Sequence, residues 1–137
     1  MKQLLLLLLL AGSLAQAAEG MAPTPAAATA NVERGRKLLL NRQETGCVLC
    51  HVVPGLKDGG DMGPSLVGVS ERLSPDMLRQ RIADPRLINP DTFMPAYFST
   101  KGLNNVAKAL KGKTVLTEQG LEDIVAYLLN PPKDKPL

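Results

Sequence analysis

Both cysteines of this 137-residue chain and its only histidine fall within one five-residue run, Cys47-Val48-Leu49-Cys50-His51. No other feature restricts the fold as much. Residues three apart in a helical turn share a face. The two sulfurs can therefore reach the two vinyl groups of one porphyrin as thioethers, and the His51 imidazole can turn over the same macrocycle to bind its iron. C-x-x-C-H is the attachment signature of covalent haem c. Three other readings compete. A structural zinc site needs four ligands, so a carboxylate or an outside group would have to complete this one. A thioredoxin-like dithiol needs a βαβ setting, and no alternating strand pattern is visible. A disulfide across two intervening residues is strained.

Composition and address favour haem. The chain has two Phe, two Tyr and no Trp, although aromatic side chains normally supply much of a core's buried area. A single small domain so poor in them needs apolar contact from a cofactor or a partner. The formal charge of +3 comes from scattered Lys and Arg and is too mild to imply nucleic acid as a partner. At the N-terminus, Lys2 precedes an unbroken run from Leu4 to Leu10, continued by Ala11 to Leu14, and Ala15-Gln16-Ala17 is a small-x-small cleavage site. Residues 1–17 are expected to be a secretory signal peptide, too short to span a bilayer. The mature chain is expected in the periplasm without a membrane anchor. Residues 18–30, rich in Ala, Pro and Thr, read as a flexible leader. The haem-bearing domain is expected over 31–132, with a tail at 133–137.

The domain reads as all-helical. Asn31 caps a first helix running to about Leu40, with Gly35 inside it marking a close crossing. Ser74 caps a second helix, with Pro75 at its first position, Asp76 in its first turn, and Leu73 and Leu78 as a hydrophobic staple. Pro85 ends it. Pro85, Pro90 and Pro95 punctuate a long ordered loop over 84–100. Leu103, Val106, Ala107 and Leu110 have helical spacing and predict a third helix. Thr117 caps the last, whose buried stripe is Leu121, Ile124, Val125 and Leu128, stopped by Pro131-Pro132.

An iron held by His51 needs a second ligand. Met62 is close behind the motif in a Gly-rich loop expected to cover the proximal side. Met77 lies on the Ser74 helix and reads as an ordinary apolar side chain. Met94, immediately before Pro95 and near Phe93, Tyr97 and Phe98, suits a thioether held rigidly at iron. His51 and Met94 are thus the expected metal ligands. Given haem, the Pro64 carbonyl of Gly63-Pro64-Ser65-Leu66 can accept the His51 Nδ1–H and fix the ligating tautomer. No Ser-His-acid or Cys-His pair remains for nucleophilic work, so no catalytic residue is expected. Arg79, Arg81 and Arg86 read by default as a solvated helix face.

C-x-x-C-H, then G-P-x-L, then M-P at the end of a proline-rich loop, between terminal helices, resembles class I cytochrome c across residues 31–130. Gly35 then resembles the small residue where the first helix crosses the last, with Tyr127 as its aromatic counterpart. The segments 63–69, 78–85 and 88–97, then Leu103 and Val106, then 116–117 and 122–128, also resemble the SoxX family, most specifically in Asn89-Pro90-Asp91-Thr92-Phe93-Met94-Pro95-Ala96-Tyr97. SoxX is the small monohaem subunit of the SoxXA cytochromes of thiosulfate oxidation. That resemblance implies one covalent haem c and a heterodimer with a SoxA-like cytochrome subunit. It also implies a SoxYZ-like carrier whose cysteine receives thiosulfate, in an L-cysteine S-thiosulfotransferase reaction. This chain would take up the electrons and pass them to a soluble acceptor cytochrome. The alternative from another class is a free-standing periplasmic electron shuttle.

Overall fold

Capping chemistry sets the three longest helices of the structure, a computed structural model describing residues 24–56 and 59–132. In chain order the helices are α1 (Pro25–Ala28), α2 (Val32–Leu40), α3 (Cys47–Cys50), α4 (Pro75–Ala83) and α5 (Glu118–Leu129). Single 3₁₀ turns occupy Val69–Glu71, Pro85–Leu87 and Lys108–Leu110, and no strand occurs among the described residues. The side chains of Asn31, Ser74 and Thr117 accept from the N–H groups of Arg34, Met77 and Gly120 respectively. Each satisfies a donor that the first helical turn leaves without a partner. Pro75 starts α4 as expected, and the helix stops at Ala83 because Pro85 pushes its predecessor out of the helical region.

The core gathers on α5. Leu121, Ile124, Val125, Tyr127 and Leu128 are buried there and meet Leu39 of α2, Leu78 and Ile82 of α4, Val48 of α3, and the loop residues Val53, Val69, Tyr97 and Leu116. α2 crosses α5 at Gly35, where an added Cβ would collide with the Asp123 carbonyl oxygen. The crossing is backbone against backbone. Tyr127, one turn further along α5, is fully buried and donates its hydroxyl to the Pro54 carbonyl.

Two carboxylates on the buried side of α5 fix the neighbouring helices. Asp123 accepts from Arg34 Nε at 2.7 Å, Arg34 Nη2 at 2.8 Å, the Asn31 N–H at 2.8 Å and Gln119 Nε2 at 3.0 Å. Burial would raise this carboxyl, but Arg34 and the neighbouring donors outweigh it and hold it below its usual range. Glu122 accepts from Arg79 Nε at 2.6 Å and Nη2 at 2.9 Å, while Arg79 also reaches Asp76 at 2.7 Å. Such paired buried charges contribute little net stability, but breaking one partner away is costly, so they specify which helix faces meet.

Three expectations need correction. Residues 24–30 are not a featureless part of the leader. Thr24 caps α1, Thr29 Oγ1 lies 2.6 Å from Gln119 Oε1, and Gln119 Nε2 donates to the Ala26 carbonyl at 3.0 Å. The signal peptide, the rest of the leader and the C-terminal tail lie outside the described residues. The third helix over 103–110 does not form. Asn105 has φ +56°, a left-handed value no α-helix accommodates, and Leu103 and Leu110 are exposed, so helical spacing here has no surface to bury against. Nor are the three arginines a solvated face. Arg79 is bound to Glu122, Arg86 to Asp84, and Arg81 is half-buried.

Asp84, almost covered, accepts from Arg86 Nε at 2.7 Å and Nη2 at 2.8 Å where α4 turns into the long loop. The Arg86 guanidinium, helped by Ser99 against the effect of burial, lowers its carboxyl to about 2. A depressed folded-state value contributes stability that is present above the unfolded-chain value, about 4, and lost as pH falls further. The stability difference between the parent and Asp84→Asn is therefore expected to be largest above about pH 4 and to shrink as pH falls towards 2. Urea midpoints measured across that window check it. A pH-independent difference would remove the charge pair from the account.

Candidate haem site

The attachment turn is held from both sides. α3 carries Cys47 and Cys50, both unbridged and half-buried, while Val48 between them is buried in the core. Alternation on this single turn anchors the helix inward through Val48 and leaves the two sulfurs on another face. The Thr45 carbonyl just before it accepts the Tyr97 hydroxyl at 2.6 Å. Burial pushes the Cys47 thiol up, and burial with the two neighbouring thiols pushes the Tyr97 phenol up to about 12. A thiol kept protonated is a poor free nucleophile.

On the other side the loop after the motif runs back along it. The N–H groups of Gly60, Gly63 and Leu66 donate to the carbonyls of Val48 at 3.0 Å, Cys50 at 2.7 Å and Val52 at 2.9 Å. This ladder brings the Pro64 carbonyl to 2.7 Å from His51 Nδ1. With Nδ1–H donating there, Nε2 is the nitrogen left with a free lone pair. Gly63 makes the approach possible, because a Cβ at that position would run into the imidazole ring. The loop covers the proximal side as expected from the sequence, but the need for Gly63 itself is not legible there beyond the Gly-Pro pair.

The methionines separate by environment. Met94 is partly buried and packed against the core, with its N–H bonded to Thr92 Oγ1 at 3.2 Å. Met77 is 43% exposed and Met62 77% exposed. Phe93, next to Met94, is 94% exposed, whereas Tyr97 is buried. Tyr97 does more than flank Met94. Its N–H and that of Phe98 donate to the carbonyls of Ile82 at 3.2 Å and Ala83 at 3.0 Å, which ties the loop to the end of α4.

The residues present fit a covalently held haem. Two free thiols share one turn, and a fixed imidazole with an open nitrogen follows them. Among the described residues no group of three His, Cys, Asp or Glu side chains is placed to hold a metal ion, so no carboxylate completes a zinc site. Cys47 and Cys50 would hold the haem, which supplies one-electron redox chemistry when bound.

An all-α chain with its first long helix crossing its last, and a C-x-x-C-H turn between, has the class I cytochrome c fold. The cytochrome c family profile matches residues 32–131, and the chain belongs to that family. Within it the chain is a SoxX-like cytochrome. It is similar to a chain of the crystal structure of SoxXA from P. pantotrophus, at 28% identity and a TM-score of 0.64, over 74% of this chain and 81% of that one. No curated protein matches the sequence. None of the described helices is long and apolar enough to cross a membrane, and family and neighbour are both compatible with a periplasmic protein.

Proposed function

We infer that this chain is the electron-accepting subunit of a heterodimeric L-cysteine S-thiosulfotransferase, with a SoxA-like cytochrome as its partner. Its single haem c is held by Cys47 and Cys50, with His51 Nε2 and the Met94 thioether as axial ligands and Pro64 orienting His51. Thiosulfate is coupled oxidatively to a cysteine of a SoxYZ-like carrier on the partner. This chain takes up the electrons released and hands them to a soluble acceptor cytochrome. The likeness to the SoxXA structure carries the reading.

The residues support that division of labour. Both thiols and the only imidazole are consumed by the cofactor, so none is left as a nucleophile or base. The loop from Asn89 to Tyr97 presents Phe93 almost fully to solvent beside a core-packed Met94. A rigid proline-rich loop with an exposed aromatic makes a docking face with little ordering cost. Exposed Asp91 and Lys101 at its rim tune encounter more than affinity.

Acid–acetone extraction of the native protein should leave the haem colour on the polypeptide. Thiosulfate should then reduce that haem only when a SoxA-like subunit and a SoxYZ-like carrier are both present. Haem extracted by acid–acetone would end the covalent assignment. Equal reduction without the SoxA-like subunit, or no association with it at micromolar concentration, would favour the free-standing shuttle.

A further inference from the structure

Arg81 is the one residue of the described chain whose buried side-chain nitrogen, Nε, has no hydrogen-bond partner. An arginine is always charged, and a buried N–H left unpaired carries its full desolvation cost. The charge calls for an anion, yet every nearby carboxylate is already committed. Asp76 and Glu122 hold Arg79, and Asp84 holds Arg86.

Position on the helix says where the anion comes from. Residues two apart on a helix point to nearly opposite sides. Arg79 reaches α5 through Glu122, so Arg81 leaves α4 on the side away from α5. It belongs to the last turn of α4, whose carbonyls at Ile82 and Ala83 accept from Tyr97 and Phe98. Tyr97 in turn binds the Thr45 carbonyl, two residues before Cys47. The end of α4, the Met94 loop and the attachment turn are thus tied together, and Arg81 belongs to that end of α4.

We propose that Arg81 pairs with a propionate carboxylate of the haem, its Nε–H and an Nη–H forming the planar two-point contact that arginine makes with carboxylates. This rests on the covalent-haem reading, and it gives Arg81 a role that the sequence does not separate from those of Arg79 and Arg86. A carboxylate is the anion a haem brings with it, and it matches the guanidinium fork. The pair satisfies Nε, neutralises the propionate and keeps uncompensated negative charge away from the iron. In an Arg81→Gln protein the propionate, covered but unpaired, has its pKa raised by burial. The midpoint potential then falls with rising pH as the propionate ionises, since negative charge beside the iron favours the ferric state.

The test begins with the parent holoprotein after acid–acetone extraction. Loss of colour at that step defeats the haem reading itself, whatever Arg81 does. With haem retained, the reduced diamagnetic protein should show nuclear Overhauser contacts between the Arg81 Nε proton and a propionate methylene. Potentiometry across neutral pH should find the parent nearly flat, Arg81→Gln lower and sloping downward with pH, and Arg81→Lys flat again because the charge is kept. An Arg81→Gln protein with the parent's potential and slope overturns the proposal. So does a shift of the ferric sulfur-to-iron band with no change in slope, which would give Nε to the Met94 sulfur instead. If Arg81→Gln does not fold, the parent's proton contacts decide alone, and their absence counts against the pair.

Discussion

Gly35→Ala should remove a large share of the protein's stability. The substitution adds one methyl group, and by helix propensity alone it would help by up to about 1 kcal/mol. Packing decides otherwise. The new Cβ would sit on the Asp123 carbonyl oxygen, with the Asp123 carbonyl carbon and the Ile124 nitrogen close behind. All three are backbone atoms, so no rotamer change relieves the overlap and α2 must move bodily from α5. Overpacking typically costs 1–3 kcal/mol and sometimes more. Here the movement also pulls Arg34 and the Asn31 N–H from the buried Asp123 carboxylate. A loss of about 3 kcal/mol or more is expected, against a total of about 5–15 kcal/mol for a domain. Denaturant unfolding of the holoprotein would measure it. A Gly35→Ala protein as stable as the parent would mean the two helices are not in backbone contact at this point.

The same crossing shows what the sequence carried and what it did not. A glycine inside a helical run is locally unfavourable, so its presence at position 35 signalled a close approach. Which atoms it approaches depends on α5, far away in sequence, and nothing local to Tyr97 or Tyr127 says which carbonyl its hydroxyl will reach. In the structure their hydroxyls tie the Thr45 and Pro54 carbonyls on either side of the attachment turn. The caps at Asn31, Ser74 and Thr117 were legible because capping is decided within four residues. So was the short distance between His51 Nδ1 and Pro64, since the motif and the Gly-Pro pair sit on one loop. The expected helix over 103–110 failed for the converse reason. Its spacing was helical, but that stretch finds no apolar partner in the fold, and local periodicity alone does not hold a helix in water. Arg79 looked like part of a charged face because its long-range partner Glu122 leaves no trace in local sequence, whereas the partner of Arg86, Asp84, lies only two residues away.

On the proposed ligation, Met94→Leu should change the haem more than any other substitution in the loop. Leucine is close to methionine in volume, so the packing of the half-buried side chain against the core survives at a cost under about 1.5 kcal/mol. What is lost is the thioether lone pair. A sulfur ligand stabilises the ferrous state and raises the potential, and axial ligands span about 0.8 V of haem potentials. The variant should lose the sulfur-to-iron charge-transfer band of the ferric protein, and its midpoint potential should drop by a sizeable part of that span. Its haem should remain covalently attached, because Cys47 and Cys50 are untouched. Met77→Leu provides the control. Met77 is also a methionine, on the neighbouring helix, but it is 43% exposed and is not among the residues packed against the core. Its replacement should leave the band and the potential where they were. Loss of the band in Met77→Leu with its retention in Met94→Leu would move the ligand onto α4. The electron-exchange face would then be that helix rather than the loop bearing Phe93, and Arg81, one turn from Met77, would stand beside the iron.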